Sequence, residues 1–252
     1  MNLLLLLLEK GPEPDKGGPD IGAIMAPILS GLAFILSSAA FVFTVFIQIK
    51  ERKRNIRQTL SVALSQIASI NVEVSTIKKD EREVTPQTLD IRKNYNSQRG
   101  TLVSDADFLI RQNEKIVTDA DCELMALTYA DLNDNEKSEE YWLQAIKLAR
   151  NPVQQHLHQR NYASFLFNRN DVEKGRLLFE KSLSSGITHT DDYLVNLSDT
   201  YVTWARLEQN FGNESEFGRL INQAKSHCKE IQHRHKKEQI SKLIDHASGD
   251  NK

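Results

Sequence analysis

The sequence predicts an all-α protein: one N-terminal transmembrane helix, a juxtamembrane amphipathic helix, and then an array of short helical hairpins. Three observations carry this reading. No charged residue occurs from Ile21 to Ile49, and from Ile56 to Ile77 apolar residues fall at alternating steps of four and three. Further on, a pattern of small, large, small, aromatic and small residues occurs twice at one spacing. Gly (11) and Pro (6) are too sparse for a turn-rich sheet protein, and long Val/Ile/Thr alternations are absent.

At 252 residues the chain has room for one ordinary domain and an anchor. A net charge of -2 argues against nucleic acid as a partner, because neutralising a phosphate backbone calls for an excess of Lys and Arg. Cys122 and Cys228 are too few for a disulfide framework, which fits a reducing compartment.

Residues 1–20 read as a polar tail whose short Leu run cannot span a bilayer and lacks the basic start of a signal peptide. The transmembrane helix is expected at 21–49. About 29 helical residues span roughly 43 Å, more than the roughly 30 Å hydrocarbon core, so the helix tilts or enters late. Directly after it come Lys50, Arg52, Lys53, Arg54 and Arg57, whereas Lys10 and Lys16 before it are offset by acidic neighbours. Lys and Arg excess stays on the cytoplasmic side, which puts the N-terminus outside and everything from residue 50 in the cytoplasm of a cell (plasma or inner) membrane. A stripe of small residues (Gly22, Ala26, Ser30, Ala33, Ser37, Ala40, Thr44) lies along one face of the span and leaves a homodimer open.

Residues 50–80 are expected to form a basic, amphipathic helix with a heptad seam of Ile56, Leu60, Ala63, Ile67, Ile70, Val74 and Ile77, widened by Leu64. Its flanks carry few charges, so the seam fits a coiled-coil dimer or a helix lying against its own domain. The polar run from Lys78 to Glu83 ends it.

The helical repeat domain is placed at 85–242, with a disordered tail at 243–252. Helix starts are read at Thr85-Pro86, Thr118 with Asp121 three residues on, Asn135, Asn151-Pro152, Asp171 and Thr190. Gly186 and Gly212 read as stops. The first helix would use Leu89, Tyr95, Leu102 and Leu109 as its apolar face. Ala126, Tyr129, Ser138, Trp142 and Ala145 align with Ala163, Leu166, Gly175, Phe179 and Ser182 at an offset of about 37 residues. Small residues let paired helices approach at their crossing, and the aromatic fills the space to the next pair. Ala205, Gly212 and Ala224 keep the register in a third, looser unit, where Glu208, Phe217 and Ile221 replace the expected types.

This pattern resembles the tetratricopeptide repeat over about residues 119–228. The first unit matches the family at all five positions. The second matches four, with Leu166 in place of Tyr. Trp is missing from its usual place in the first two units. The resemblance implies a short solenoid that binds protein segments along the first helix of each pair. The inner-face residues it implies are Glu123, Leu127, Asp131, Arg160, Ser164, Asn168, Val202, Arg206 and Gln209. The Lys and Asn clamp by which some members grip a C-terminal carboxylate is absent.

No catalytic, cofactor or metal residues are expected. His227-Cys228 and His233-Arg-His235 are one or two apart, which points side chains in different directions on a helix, and His156 and His158 share that spacing. No nucleophile elbow, P-loop, dinucleotide fingerprint or zinc-protease motif occurs. The expectation is a membrane-tethered interaction scaffold; the alternatives are a structural or sensory protein working through its stalk, and an envelope factor with the repeats outside.

Overall fold

The computed structural model describes residues 21–80, 85–184 and 190–249, and among these the chain is helical without strands. The helices are α1 (Ile21–Asp80), α2 (Pro86–Gln112), α3 (Asp119–Asp131), α4 (Asn135–Leu148), α5 (Pro152–Asn168), α6 (Val172–Leu183), α7 (Asp191–Asn210), α8 (Glu214–Glu230) and α9 (Arg234–Ser248), with a 3₁₀ turn at Glu114–Ile116. The expectations for residues 1–20, for 81–84, for Gly186 and for 250–252 lie outside the described residues. The chain divides into two compact units, Met1–Asn55 and Ile56–Lys252.

In the first unit, every side chain from Ser30 to Asn55 is exposed. Phe34, Leu36 and Phe41 are each about 70% so. Among the described residues α1 is the one helix long and apolar enough to cross a membrane, and its most apolar stretch, mean hydropathy 2.2, is wholly unburied. No break separates this stretch from the expected juxtamembrane helix: α1 is continuous through Lys50, because Lys, Glu and Arg are good helix formers.

In the second unit, α1 supplies part of the core. Leu60, Ala63, Leu64 and Ile67 are buried with Val103, Ala106 and Ile110 of α2 and Cys122 and Met125 of α3. Leu60 and Ile67 are fully enclosed, each contributing about 1.5–3 kcal/mol of burial. Of the two uses the seam allowed, it serves the second, packing on its own domain. A dimer through this seam would have to displace α2 and α3.

Three hairpins follow, α3–α4, α5–α6 and α7–α8, packed in sequence, and α9 closes the last by packing on α7 and α8. Their turns are near-identical. The middle residue, Asn133, Asn170 or Gly212, adopts left-handed backbone at φ 63, 65 and 74°, which Asn and Gly tolerate best. The next N–H then reaches back to the helix end: Asp134 to the Tyr129 carbonyl (2.9 Å), Asp171 to Leu166 (2.9 Å) and Asn213 to Glu208 (3.0 Å). Asp134 and Asn213 turn and cap the following helix with their side chains. Hence α4 is capped by Asp134, one residue before the expected Asn135.

The small positions lie at the crossings. Ala126, Ala145, Ala163, Ala205 and Ala224 are 0% exposed, and Ser138 Oγ donates to the Ala126 carbonyl at 2.8 Å. Trp142 and Phe179 fill the aromatic positions, fully buried. In the third unit Glu208 stands where the first has Tyr129, and it too is fully buried. It accepts from Arg176 (2.8 and 2.7 Å), Trp204 Nε1 (2.8 Å) and Asn213 Nδ2 (3.1 Å). Burial pushes its carboxyl up, but those hydrogen bonds outweigh burial and hold it below the ordinary value.

Two expectations are corrected. The tail does not begin at 243, since α9 continues to Ser248 with Ile244 buried at 2% exposure. On α2 the buried residues are Arg99, Val103, Ala106, Asp107 and Ile110. Leu89 is exposed, while Leu102 and Leu109 are half-buried. The expected face is off by part of a turn because Arg99 and Asp107 enter the core as paired charges, which an apolar count passes over. Asp107 accepts from Tyr141 (2.6 Å) and Arg111 (3.0 Å).

A Cβ at Gly175 would lie 2.5 Å from the buried Phe167 ring, so overpacking of about 1–3 kcal/mol exceeds the gain of about 1 kcal/mol in helix propensity. Gly175→Ala is expected to lower the melting temperature. Gly218→Ala, with nothing within 4 Å of the new methyl, is expected to raise it, and thermal melts of the two variants check both signs.

Candidate partner-binding face

The first helices of the three hairpins, α3, α5 and α7, carry the nine residues implied as an inner face, and the structure divides them. Leu127, Asn168 and Gln209 are exposed; Ser164 and Arg206 are half-exposed. Ser164 Oγ donates back to the Arg160 carbonyl at 3.1 Å. Val202 is 1% exposed, in the core cluster that Ile240 and Ile244 of α9 complete, so it is no surface residue. Repeat register alone places this position outside.

Three of the charged members, Glu123, Asp131 and Arg160, are paired across neighbouring helices. Asn161 donates to Glu123 at 2.5 Å, Arg160 reaches Asp199 at 2.5 Å, and Arg99 of α2 donates to Asp131 at 3.0 Å. The first two contacts tie α3 to α5 and α5 to α7, and the third ties α2 to α3. Arg57 is likewise engaged, donating to Asp121 and, at 3.4 Å, to the Ile116 carbonyl. Because Asp121 also completes the capping box of Thr118, that arginine locks α1 onto the start of α3. Lys50, Arg52, Lys53 and Arg54 are exposed.

His158 lies within this paired region. Its Nε2 is 3.0 Å from Asp119 Oδ2 and its Nδ1 3.4 Å from Glu123 Oε2. The Glu123 carboxylate, then Asp119, raises the imidazole above its ordinary value against the opposing pull of burial. For Asp119, burial works upward but the His158 contact prevails and lowers it; for Glu123, the His158 contact itself is the main cause of a lowered value. His156 behaves oppositely. Burial lowers it, and it bridges the Ser182 carbonyl (2.7 Å) and Thr200 Oγ1 (2.9 Å). Its Nδ1 must donate, as a carbonyl only accepts.

Two clefts meet at the end of α3. One, of about 500 Å³, is lined by Ala130, Asp131, Asn133, Asn135, Phe165, Asn168 and Arg169. The other, of about 360 Å³, shares Ala130, Asp131 and Asn133 and adds Val74, Arg92, Asn96 and Arg99. Of the residues expected on sequence grounds, Asp131 and Asn168 line these clefts. Arg92, Asn96, Arg99 and Arg169 were missed; the sequence marks none of them, since they fall outside the repeat positions and outside any motif.

Burial, then the nearby Asp121 and Asp119, pushes the Cys122 thiol up to about 12, and burial raises Cys228. Both thiols therefore stay protonated and unreactive near neutrality. Among the described residues no group of three His, Cys, Asp or Glu side chains is close enough to hold a metal ion.

The linkage at His158 has a defined sign. Its folded pKa is raised, so its contribution to stability is complete below the unfolded value of about 6.5 and fades as pH rises through the folded value. Asp119 and Glu123 are lowered, so their share is present above the ordinary carboxylate range and fades as pH falls through their folded values. Thermal stability is expected to peak in mildly acidic buffer, and His158→Gln is expected to remove much of the decline on the alkaline side. Melting curves taken across pH for both chains check this.

Comparison of the chain with known protein families, with curated proteins and with solved structures finds no match.

Proposed function

We propose that this chain is a single-pass membrane protein whose cytoplasmic hairpin domain, of tetratricopeptide-like design, recruits a protein partner to the membrane. The observation that carries the reading is the charge-free stretch of α1, exposed from Ser30 onward, in one chain with a cored set of hairpins. A stretch this long and this apolar is costly in water and favourable in lipid. Orientation rests on the exposed Lys50, Arg52, Lys53 and Arg54 after the span, which hold that side in the cytoplasm and argue against an outward-facing domain.

Tetratricopeptide design is supported by the burial of every small position in the first two units, Ala126, Ser138, Ala145, Ala163, Gly175 and Ser182. The recurrence of one turn geometry at Asn133, Asn170 and Gly212 supports it as well. Hairpin arrays of this kind serve binding more often than chemistry. With the α1 seam spent on the domain's own core, the surfaces left for a partner are the faces and clefts of the hairpins.

Deleting residues 85–252 while keeping α1 is expected to abolish the set of neighbours labelled by a proximity enzyme fused to the chain. Neighbours that persist unchanged would assign the work to the membrane helix instead.

A further inference from the structure

We infer that Lys50, Arg52, Lys53 and Arg54 form a lipid-binding band that gathers phospholipids of net negative headgroup around α1. This rests on the membrane reading proposed above and goes beyond it. There the four cations set orientation; here they select the lipids that surround the helix.

Two observations carry the inference. The first is that these charges are uncommitted. All four side chains are exposed, and among the described residues none of them makes an ion pair or a side-chain hydrogen bond. Arg57, the fifth cation of the run, gives the contrast, because it is engaged by Asp121 and the Ile116 carbonyl. Four cations against the single carboxylate of Glu51 leave three positive charges unopposed across residues 50–54. The whole chain carries a net charge of -2, so a preference for an anionic surface has no source in the total charge.

The second is the height and spread of the band. Lys50 follows Ile49, the end of the charge-free stretch, with no break in the helix. At about 1.5 Å per residue, the step from Lys50 to Arg54 rises about 6 Å. One headgroup layer is about 5–7 Å deep, given a roughly 30 Å core inside a bilayer of about 40–45 Å. At about 100° per residue, Lys50, Lys53 and Arg54 fall on one side of α1 and Arg52 on the other, so cations meet headgroups around the helix. Orientation alone needs Lys and Arg only within about 15–20 residues of the span; confinement to one headgroup depth is what lipid contact requires. The Arg fork grips a phosphate and Lys supplies a compact charge, and both do so for any phospholipid. Selection comes from the unopposed charges, which an anionic headgroup balances and a zwitterionic one does not.

The test places the full chain in phosphatidylcholine nanodiscs, where orientation is immaterial. A donor dye on a cysteine introduced at the exposed Gln58 reports energy transfer to trace phosphatidylglycerol or phosphatidylcholine bearing the same acyl-chain acceptor. Cys122 and Cys228 are buried and stay unlabelled. We expect the phosphatidylglycerol probe to be enriched roughly twofold or more, an enrichment that fades in about 1 M salt, where screening acts within about 3 Å. The fourfold variant Lys50→Gln/Arg52→Gln/Lys53→Gln/Arg54→Gln should lose it and Glu51→Gln should increase it. Arg57→Gln should leave it unchanged while lowering the melting temperature. Equal transfer to the two probes, enrichment that survives in the fourfold variant, or its loss to inorganic phosphate at matched ionic strength would each overturn the inference. Where the fourfold variant melts early, Glu51→Gln decides, and no increase there counts against the band. A chain that does not enter nanodiscs contradicts the membrane span itself, whereas one that enters without lipid preference contradicts only the band.

Discussion

One helix has to divide its apolar residues between two surroundings. From Ser30 to Ile49 every side chain of α1 is exposed, including eight Phe, Leu or Ile residues above half exposure such as Phe34 and Phe41; from Leu60 the same helix buries a single face. Apolar surface left in water costs about 25 cal/mol per Å², so this exposed stretch is costly in water. The second stretch solves the same problem by folding: Leu60, Leu64 and Ile67 join the core of the hairpin domain. Removing either solution leaves a long apolar surface without a partner.

The domain that receives α1 is held by two different economies. Its crossings follow size alone, with Ala126, Ala163, Ala205 and Gly175 allowing close helix approach. Between helices, buried charges are admitted only with partners: Asp107 with Tyr141 and Arg111, Glu208 with Arg176, Trp204 and Asn213, His158 with Asp119 and Glu123. Arg99 follows the same rule with Asp131, Asn71 and Asn96, leaving its Nε without a hydrogen bond.

How much of this was legible in the sequence follows from how local each signal is. Starts at Thr85, Thr118, Asn151 and Thr190 were readable because a cap is decided within four residues. The burial of Trp142, Phe179 and the repeated alanines was readable because the pattern repeats. The buried face of α2 was not, since Arg99 and Asp107 are buried by partners some thirty residues away in the chain. Val202 failed for a similar reason, as its burial is decided by the tertiary packing of its cluster. Arg57 looked like one more topology-setting cation, and its contact with Asp121 depends on α3 lying alongside. The cleft residues carry no motif, so a candidate site could be reached only through geometry.

The central claim is that the exposed stretch of α1 has lipid as its environment. Extraction of the full-length chain from membranes tests it directly. The account predicts that the protein stays with the membrane pellet through alkaline carbonate and high salt and enters solution only with detergent. Recovery of the intact chain as a monodisperse species in plain aqueous buffer would contradict it.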